Sequence, residues 1–419
     1  MIDLLADLEA RGLIHDSTDR DALAARLARG PITVYHGIDP SADSLHTGNL
    51  IGLMMLRRFQ LAGHRPIALA GGATGMIGDP GGRSEERNLL DEDILRANVA
   101  AIKSQMSRVL GEAGEWQLVD NYEWTRDIPL LAFLRDVGKH VTVNQMMARE
   151  SVRTRLQSEH GISYTEFSYM LLQANDYWWL HEHQGCELQI GGSDQWGNIL
   201  SGVDLIRRRS GASVHALCWP LLTASDGTKL GKTTGARVWL DPAKTSPYEL
   251  YQHFVQTGDR EVRQLLLWLT LLPVDDIAAV VQRHEEAPQH REAQRLLARE
   301  VVTLVHGAAA AQEAENGTTA WSADLSPELL RSLEASLPTT ELRTEALPVG
   351  LVDLLVRTEL AASKSAATRL VRQGGAYAND VKIDDEERMF DAGDFLEGRW
   401  LLLRAGKRRQ HLVVRALSG

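Results

Sequence analysis

Cysteine is nearly absent from this 419-residue chain: Cys186 and Cys218 are the only two, with no C-x-x-C pairing. That excludes a disulfide scaffold and argues against a zinc ribbon. No zinc is expected, and both thiols are expected to be small buried hydrophobes. Long apolar runs are missing too. The longest, around Leu265 to Val274, covers about ten residues, against the roughly 20 that span a bilayer. The start, MIDLLADLEARG, is acidic and lacks the basic-then-apolar pattern of a signal peptide. A cytoplasmic location without a membrane partner is therefore expected. Lysine is scarce, eight of 45 basic residues, yet Lys229 and Lys232 stand within four positions of each other. Positive charge is short overall. The net charge of −11 argues against nucleic acid spread over the whole surface. The balance is uneven, however. Residues 350–419 hold twelve basic and ten acidic residues, a net of +2, which leaves −13 on the rest; from Arg399 onward there are six basic residues and no acidic one. Any RNA-binding surface should be local.

The length is too great for one core and suggests two to four domains, and the 44% hydrophobic and 24% charged fractions are ordinary for a globular protein. There is no internal repeat and no low-complexity tract. The first 30 residues read as helical, 32–39 as a strand running into a loop, 47–63 as a mostly buried helix ending at Gly63, and 66–72 as a strand buried on both faces. A helix over 91–110 and a strand over 115–121 complete a strand–helix alternation, the rhythm of a parallel sheet with crossover helices. Residues 122–165 are less regular and read as an insertion with apolar residues suited to an oligomer surface. A helix over 165–183, a strand over 187–190 and a helix from Asp194 to about Arg209 follow, and 246–312 read as a run of helices. A linker is expected over 317–349, before a compact final domain.

Six segments carry chemistry. In Asp39-Pro-Ser41-Ala-Asp-Ser-Leu-His46-Thr-Gly48-Asn49, a strand gives way to a helix start, whose free N–H groups suit phosphate; His46 can donate to a phosphate oxygen, or be a plain loop residue. The glycine-rich Gly71–Arg87 stretch holds Asp79, fit to pair with an ammonium, and Arg83 and Arg87, fit for phosphates; a surface loop is the alternative. Tyr169, Gln173 and Asp176 are spaced to stack on one helix face, lining either a small polar pocket or solvent. Gln189-Ile-Gly-Gly192-Ser-Asp194-Gln195 runs from a strand end into a helix, where ligands bind in open α/β sheets; Asp194 can accept from a ribose hydroxyl or cap the helix. Asp226-Gly-Thr-Lys229-Leu-Gly-Lys232-Thr fails the spacing of a P-loop, but two lysines in a chain that prefers arginine suit a moving phosphate, or a solvated turn. Finally, Ser365, Arg369 and Arg372 share a helix face, and Lys407, Arg408 and Arg409 form a later cluster; basic helix plus basic loop suits an RNA backbone.

Together, in this order and spacing, these motifs resemble bacterial tyrosyl-tRNA synthetases, a class I family, over nearly the whole chain. HTGN at 46–49 resembles the family's H-x-G-H signature and KLGKT at 229–233 its mobile lysine loop. The resemblance implies an α/β fold: a Rossmann-like parallel-sheet catalytic domain over 1–222 with the insertion at about 122–165 as a dimer surface, a lysine-loop and α-helical anticodon-region domain over 223–316, the linker at 317–349, and a small α+β RNA-binding domain over 350–419 like a ribosomal small-subunit protein. It implies an enzyme that activates L-tyrosine with ATP to an adenylate and pyrophosphate, then transfers tyrosine to tRNA(Tyr). Mg²⁺ would accompany ATP without a dedicated protein site, and a homodimer is implied. Tyr35 and Asp176 would bind the substrate phenol; Asp79, Tyr169 and Gln173 its ammonium; Gln195 would lie near its carboxylate, with Asp39 and Gln189 behind the pocket wall. Gly192 and Asp194 would hold the ribose with help from Asn49, and Gly48 would let ATP approach the first helical turn. Ser41, His46, Arg83, Arg87, Lys229 and Lys232 would bind the leaving pyrophosphate. Arg369, Arg372, Lys407, Arg408 and Arg409 would meet tRNA. Two residues depart from the pattern: Asn49 stands at the second histidine, and Arg83 where lysine is expected. The rival readings are a tryptophanyl-type synthetase and a non-catalytic RNA-binding protein on the same scaffold.

Overall fold

The structure is a computed structural model that describes residues 3–79, 91–111, 115–157, 161–221, 237–319, 325, 327–406 and 409–416. Arg83, Arg87, Lys229, Lys232, Lys407 and Arg408 lie outside the described residues. The chain divides into two compact units. One comprises Met1–Asp241 with Gly258–Pro288, the other Pro242–Thr257 with Gln289–Gly419.

The first unit is built on a six-stranded sheet of β1 (Asp16–Ser17), β2 (Thr33–Ile38), β3 (Arg65–Ala70), β4 (Gln117–Asp120), β5 (Cys186–Gly192) and β6 (His215–Trp219). Its order is β1-β6-β5-β2-β3-β4, with every neighbour parallel except the β1–β6 edge. The central strands are buried on both faces, which is why they read as continuous apolar runs rather than alternating ones. Strands β3 and β4 follow β2 to one side, while β6 follows β5 to the other. The order therefore reverses between β2 and β5, and a crevice opens beyond their carboxyl ends. Four helices bear on that crevice, α1 (Leu50–Leu61), α2 (Gly72–Ile77), α4 (Tyr164–Gln184) and α5 (Trp196–Ser210), while α3 (Glu92–Leu110) packs behind α1 and α2. Helix α4 is capped by Ser163 and closes at Gly185 in the left-handed conformation, φ 60°.

The structure corrects several sequence expectations. The first 30 residues are not all helix: strand β1 interrupts them and pairs with β6. Strand β6, in the buried run VHALCW, is an element beyond those expected from the sequence. The strand expected to reach residue 72 stops at Ala70, because Gly72–Ile77 turn into α2. The helical run expected over 246–312 divides between the units. Helices Asp259–Leu269 and Val274–Glu286 join the sheet unit, where the buried Arg11 and Arg58 donate to the Leu267 carbonyl and cap that helix's open end. The linker expected at 317–349 holds a helix, Pro327–Ser336, and a strand, Thr339–Arg343, that pairs parallel with Arg409–Ala416. Polar, weakly periodic sequence hid both. The second unit's five-stranded sheet packs its own core of Leu351, Leu354, Leu355, Val371, Leu401, Leu403 and Val413.

Candidate active site

A cavity of about 380 Å³ occupies the crevice at the β2–β5 reversal. Every described residue assigned above to tyrosine or ATP lines it: Tyr35, Asp39, Ser41, His46, Gly48, Asn49, Asp79, Tyr169, Gln173, Asp176, Gln189, Gly192, Asp194 and Gln195. A larger cavity, about 920 Å³, lies in the other unit along Tyr248, His253, Arg357, Arg409 and His411. It holds none of those side chains, so convergence of polar groups rather than size marks the site.

At one end stand Tyr35, brought by the central strand β2, and Asp176, brought by α4. Both are almost wholly buried, 1% and 2% exposed. Asp176 is braced on both oxygens. The Asn121 amide donates to Oδ2 and the Trp124 indole N–H to Oδ1, each at 2.9 Å. Burial still pushes its carboxyl up to about 7; the two donors pull it down, and the charges of Asp39 and Asp120 add to the rise. Burial likewise raises the Tyr35 phenol well above its usual value, with the Asp176 charge as the next cause. The Trp124 ring stacks on Trp179 at 4.2 Å, and Trp179 on His183 at 4.3 Å.

From Asp176 the network continues. The Asn121 amide also donates to Thr74 Oγ1, the Thr74 hydroxyl donates to Asp39 Oδ1 at 2.9 Å, and the Tyr169 hydroxyl to Asp39 Oδ2 at 3.2 Å. Gly71 makes room for this: a Cβ there would stand 2.2 Å from Asp39 Oδ1. Gln195 Nε2 donates to Asp79 Oδ2 at 2.7 Å, and Asn198 fixes the other end of the Gln195 amide. Three buried polar atoms in the cavity wall have no partner among the described residues: Tyr35 Oη, Gln173 Oε1 and Gln189 Oε1. Buried polar groups left unpaired cost roughly 1–3 kcal/mol each, so this wall is shaped for a polar guest.

At the other end, side chains satisfy backbone groups of their own segment. His46 caps the one-turn helix Thr47–Asn49: its Nδ1 accepts from the Gly48 N–H at 3.1 Å, and Asn49 Oδ1 accepts from the His46 N–H at 3.0 Å. With Nδ1 accepting, the neutral ring carries its proton on Nε2. Burial and the nearby Arg237 charge lower the His46 pKa and favour that neutral donor. His36 is half-buried, and desolvation pushes its pKa down to about 4; its Nδ1 donates to the Ile190 carbonyl. Gly52 on α1 lets that ring approach, since a Cβ there would lie 2.3 Å from Nε2.

Sequence reasoning missed Thr74, Asn121, Trp124, Trp219, Leu221 and Arg237. Trp219 was findable through the apolar run of β6; the others sit in loops or short helices without a spacing signal. In the second unit, Arg369 and Arg372 share a shallow depression with Lys364, Ser365, Thr368 and Gln373, and Arg372 pairs with Glu386 at 2.8 Å. Arg409 donates to the Glu359 and Leu360 carbonyls. Among the described residues, no group of three or more His, Cys, Asp or Glu side chains is placed to hold a metal, and no helix is long and apolar enough to cross a membrane.

Comparison with known proteins adds independent findings. Residues 27–321 match the family described as tRNA synthetases class I (W and Y). Residues 330–413 match the Tyrosine--tRNA ligase SYY-like C-terminal domain. The chain is 50% identical over 420 residues to a tyrosine–tRNA ligase of Opitutus terrae, covering 98% of this chain and 99% of that one. It is 51% identical over 415 residues to one of Mycobacterium bovis, covering 97% of each. A solved, C-terminally truncated mitochondrial tyrosyl-tRNA synthetase of Aspergillus nidulans superposes with a TM-score of 0.68 at 33% identity, over 75% of this chain and 92% of that one.

Proposed function

We propose roles for individual residues from one premise: the chain belongs to the tyrosyl-tRNA synthetase family of class I aminoacyl-tRNA synthetases. Its activity is tyrosine–tRNA ligation. Tyrosine, ATP and tRNA are its substrates. The observation that carries the assignment of the site is the Tyr35–Asp176 pair, a buried hydroxyl without a partner among the described residues beside a carboxylate. The pair offers a donor and an acceptor to one phenol O–H; an indole N–H can only donate. This supports tyrosine over tryptophan.

Asp79, Tyr169 and Gln173 take the substrate ammonium, Gln195 lies near its carboxylate, and Asp39 and Gln189 support the wall. Gly192, Asp194 and Asn49 take the ribose, with Gly48 allowing close approach. Ser41 and the His46 Nε2–H face the phosphates, together with Arg83, Arg87, Lys229 and Lys232. The tyrosine carboxylate attacks the α-phosphate in line and pyrophosphate leaves. The nucleophile is already ionised, so no general base is required; catalysis is positioning and stabilisation of phosphate charge. Mg²⁺, if it arrives with ATP, would neutralise part of that charge without a dedicated protein site. The terminal ribose hydroxyl of tRNA then attacks the adenylate carbonyl and AMP leaves. Exchange of labelled pyrophosphate into ATP is the test: tyrosine should support it and tryptophan should not, and the reverse would overturn the assignment.

A homodimer through the insertion is supported by Leu130, Leu131 and Tyr164, large apolar side chains that are 71%, 80% and 73% exposed. Leu131→Asp should lower the mass measured by light scattering; an unchanged mass counts against this surface. The Arg369 and Arg372 face is proposed as a tRNA backbone contact. Arg369→Ala should weaken tRNA binding and flatten its salt dependence, with tyrosine exchange intact; an unchanged salt slope argues against it. Action in the cytoplasm, where translation runs, follows from this function.

A further inference from the structure

Among the described residues that line the active-site cavity there are four carboxylates, Asp39, Asp79, Asp176 and Asp194, and one cationic arginine or lysine, Arg237. That balance suits an ammonium at one end. It does not suit a triphosphate at the other, where Asn49 is neutral and its side-chain oxygen is taken by the His46 N–H.

Arg237 is held at that anionic end by backbone pairing. The Thr47 N–H donates to the Val238 carbonyl at 3.1 Å and the Leu240 N–H to the Leu45 carbonyl at 2.8 Å, so His46 and Trp239 form an antiparallel bridge. The Asp241 N–H donates to Ser44 Oγ. The segment that carries Arg237 is thereby fastened along the segment that carries His46. The guanidinium lies 5.6 Å from the Trp239 ring centroid, and that ring meets the His46 ring edge-on at 6.3 Å. No carboxylate pairs with Arg237 among the described residues, and the residue is exposed. Among the described residues its charge is therefore not spent on a carboxylate, and His46 feels it.

We infer that Arg237 is a further ATP-contacting residue, its guanidinium meeting the phosphate chain beside His46 and stabilising the departing pyrophosphate. The inference rests on the assignment of this cavity to tyrosine activation. A planar fork of N–H donors matches phosphate oxygens, and one positioned donor at developing phosphate charge is commonly worth 10²-fold or more in rate. Exposure to solvent reduces that here to about 10- to 10²-fold. Trp239 would act as the platform that keeps the long side chain from collapsing away from the cavity.

The experiment is single-turnover tyrosine activation over a range of ATP concentrations, with tyrosine affinity measured separately. Arg237→Ala should slow activation about 10- to 10²-fold with tyrosine affinity within twofold of the parent. Arg237→Lys should recover part of the rate, keeping charge but not the fork. In Arg237→Ala the His46 ring should also titrate at higher pH, because a repelling charge has gone. Normal activation in Arg237→Ala overturns the inference, as does an equal loss of tyrosine affinity, which would show a structural role. Should Arg237→Ala fold poorly, Arg237→Gln gives the same comparison. Failure of the parent chain to activate tyrosine would instead sink the assignment of the cavity itself.

Discussion

The two ends of the active-site cavity are built in different ways. At the end proposed for the amino acid, both oxygens of Asp176 and both of Asp39 already hold hydrogen bonds from neighbouring side chains. At the end proposed for the nucleotide the wall includes the backbone of Gly48, in the one-turn helix, and of Gly191–Gly192, at the end of β5, with His46 and Asn49 satisfying the backbone of their own segment. The first construction suits selection: a cross-braced carboxylate cannot shift to accommodate the wrong side chain without leaving donors unpaired. The second suits chemistry in which the ligand moves, since phosphates that depart need close backbone approach and cations that follow them.

The largest expected effect strikes the braced end. Asp176→Ala removes the acceptor for the phenol and strands the Asn121 and Trp124 donors. Hydrogen bonds to charged groups are worth about 1.5–3 kcal/mol, so kcat/KM for tyrosine should fall about 10²-fold or more, with little change in KM for ATP. A matching loss on the ATP side would erase the distinction between the two ends.

Gly192→Ala tests the other construction. A Cβ there would meet Asp194 Oδ1 at 2.9 Å and Leu221 Cδ2 at 3.4 Å, displacing the carboxylate assigned to the ribose. KM for ATP should rise about 10-fold while tyrosine affinity holds. Equal weakening of both ligands would mean that the ends are mechanically one.

Much of this site was legible in the sequence, and the reason is physical. Tyr169, Gln173 and Asp176 announce themselves because a helix repeats every 3.6 residues, and the Gln189–Gln195 and Asp39–Asn49 segments because a strand must turn into a helix near its ligand. What braces them was not legible. Asn121 and Trp124 reach Asp176 from a strand end and a four-residue helix, and no periodicity relates positions 52 and 55 residues apart. Arg237 was hidden in the same way: it joins the cavity through pairing with residues about 190 positions earlier in the chain. In the second unit, Thr339–Arg343 read as linker because a five-residue edge strand with mixed burial has no apolar run to show.

The titration of Asp176 offers a third comparison. With its carboxyl pushed up to about 7, the empty site is mainly protonated at pH 6 and mainly ionised at pH 8. In the proposed assignment it is the ionised form that would accept from the substrate phenol. Tyrosine affinity should therefore strengthen about 10-fold over that interval, an inflection that Asp176→Asn should abolish. The linkage has a defined sign. A raised folded-state carboxyl contributes stability that is fully present below the unfolded value of about 4 and is lost as pH rises through about 7. The ligand-free protein should lose Tm from pH 6 to 8, while the Tm gain on adding tyrosine grows. A flat profile for both would place Asp176 outside the role assigned to it.

The smallest effect probes how far the bracing extends. Trp124 gives its indole N–H to Asp176, and its own ring is held by the stack on Trp179, 4.2 Å apart with planes within 10°. Trp179 touches no assigned ligand group. Aromatic pairs contribute about 0.5–1.5 kcal/mol beyond burial, so loosening this one should raise KM for tyrosine roughly two- to tenfold. Trp179→Leu should do that with kcat and KM for ATP nearly unchanged, and Trp179→Phe, which keeps a stacking face, should restore most of the loss. The apparent pKa of Asp176 should also rise in the leucine variant, because a less firmly aimed donor stabilises the carboxylate less. A leucine variant that binds tyrosine normally, with an unshifted pH profile, would end the braced region at Trp124 and make the stack a matter of core packing alone.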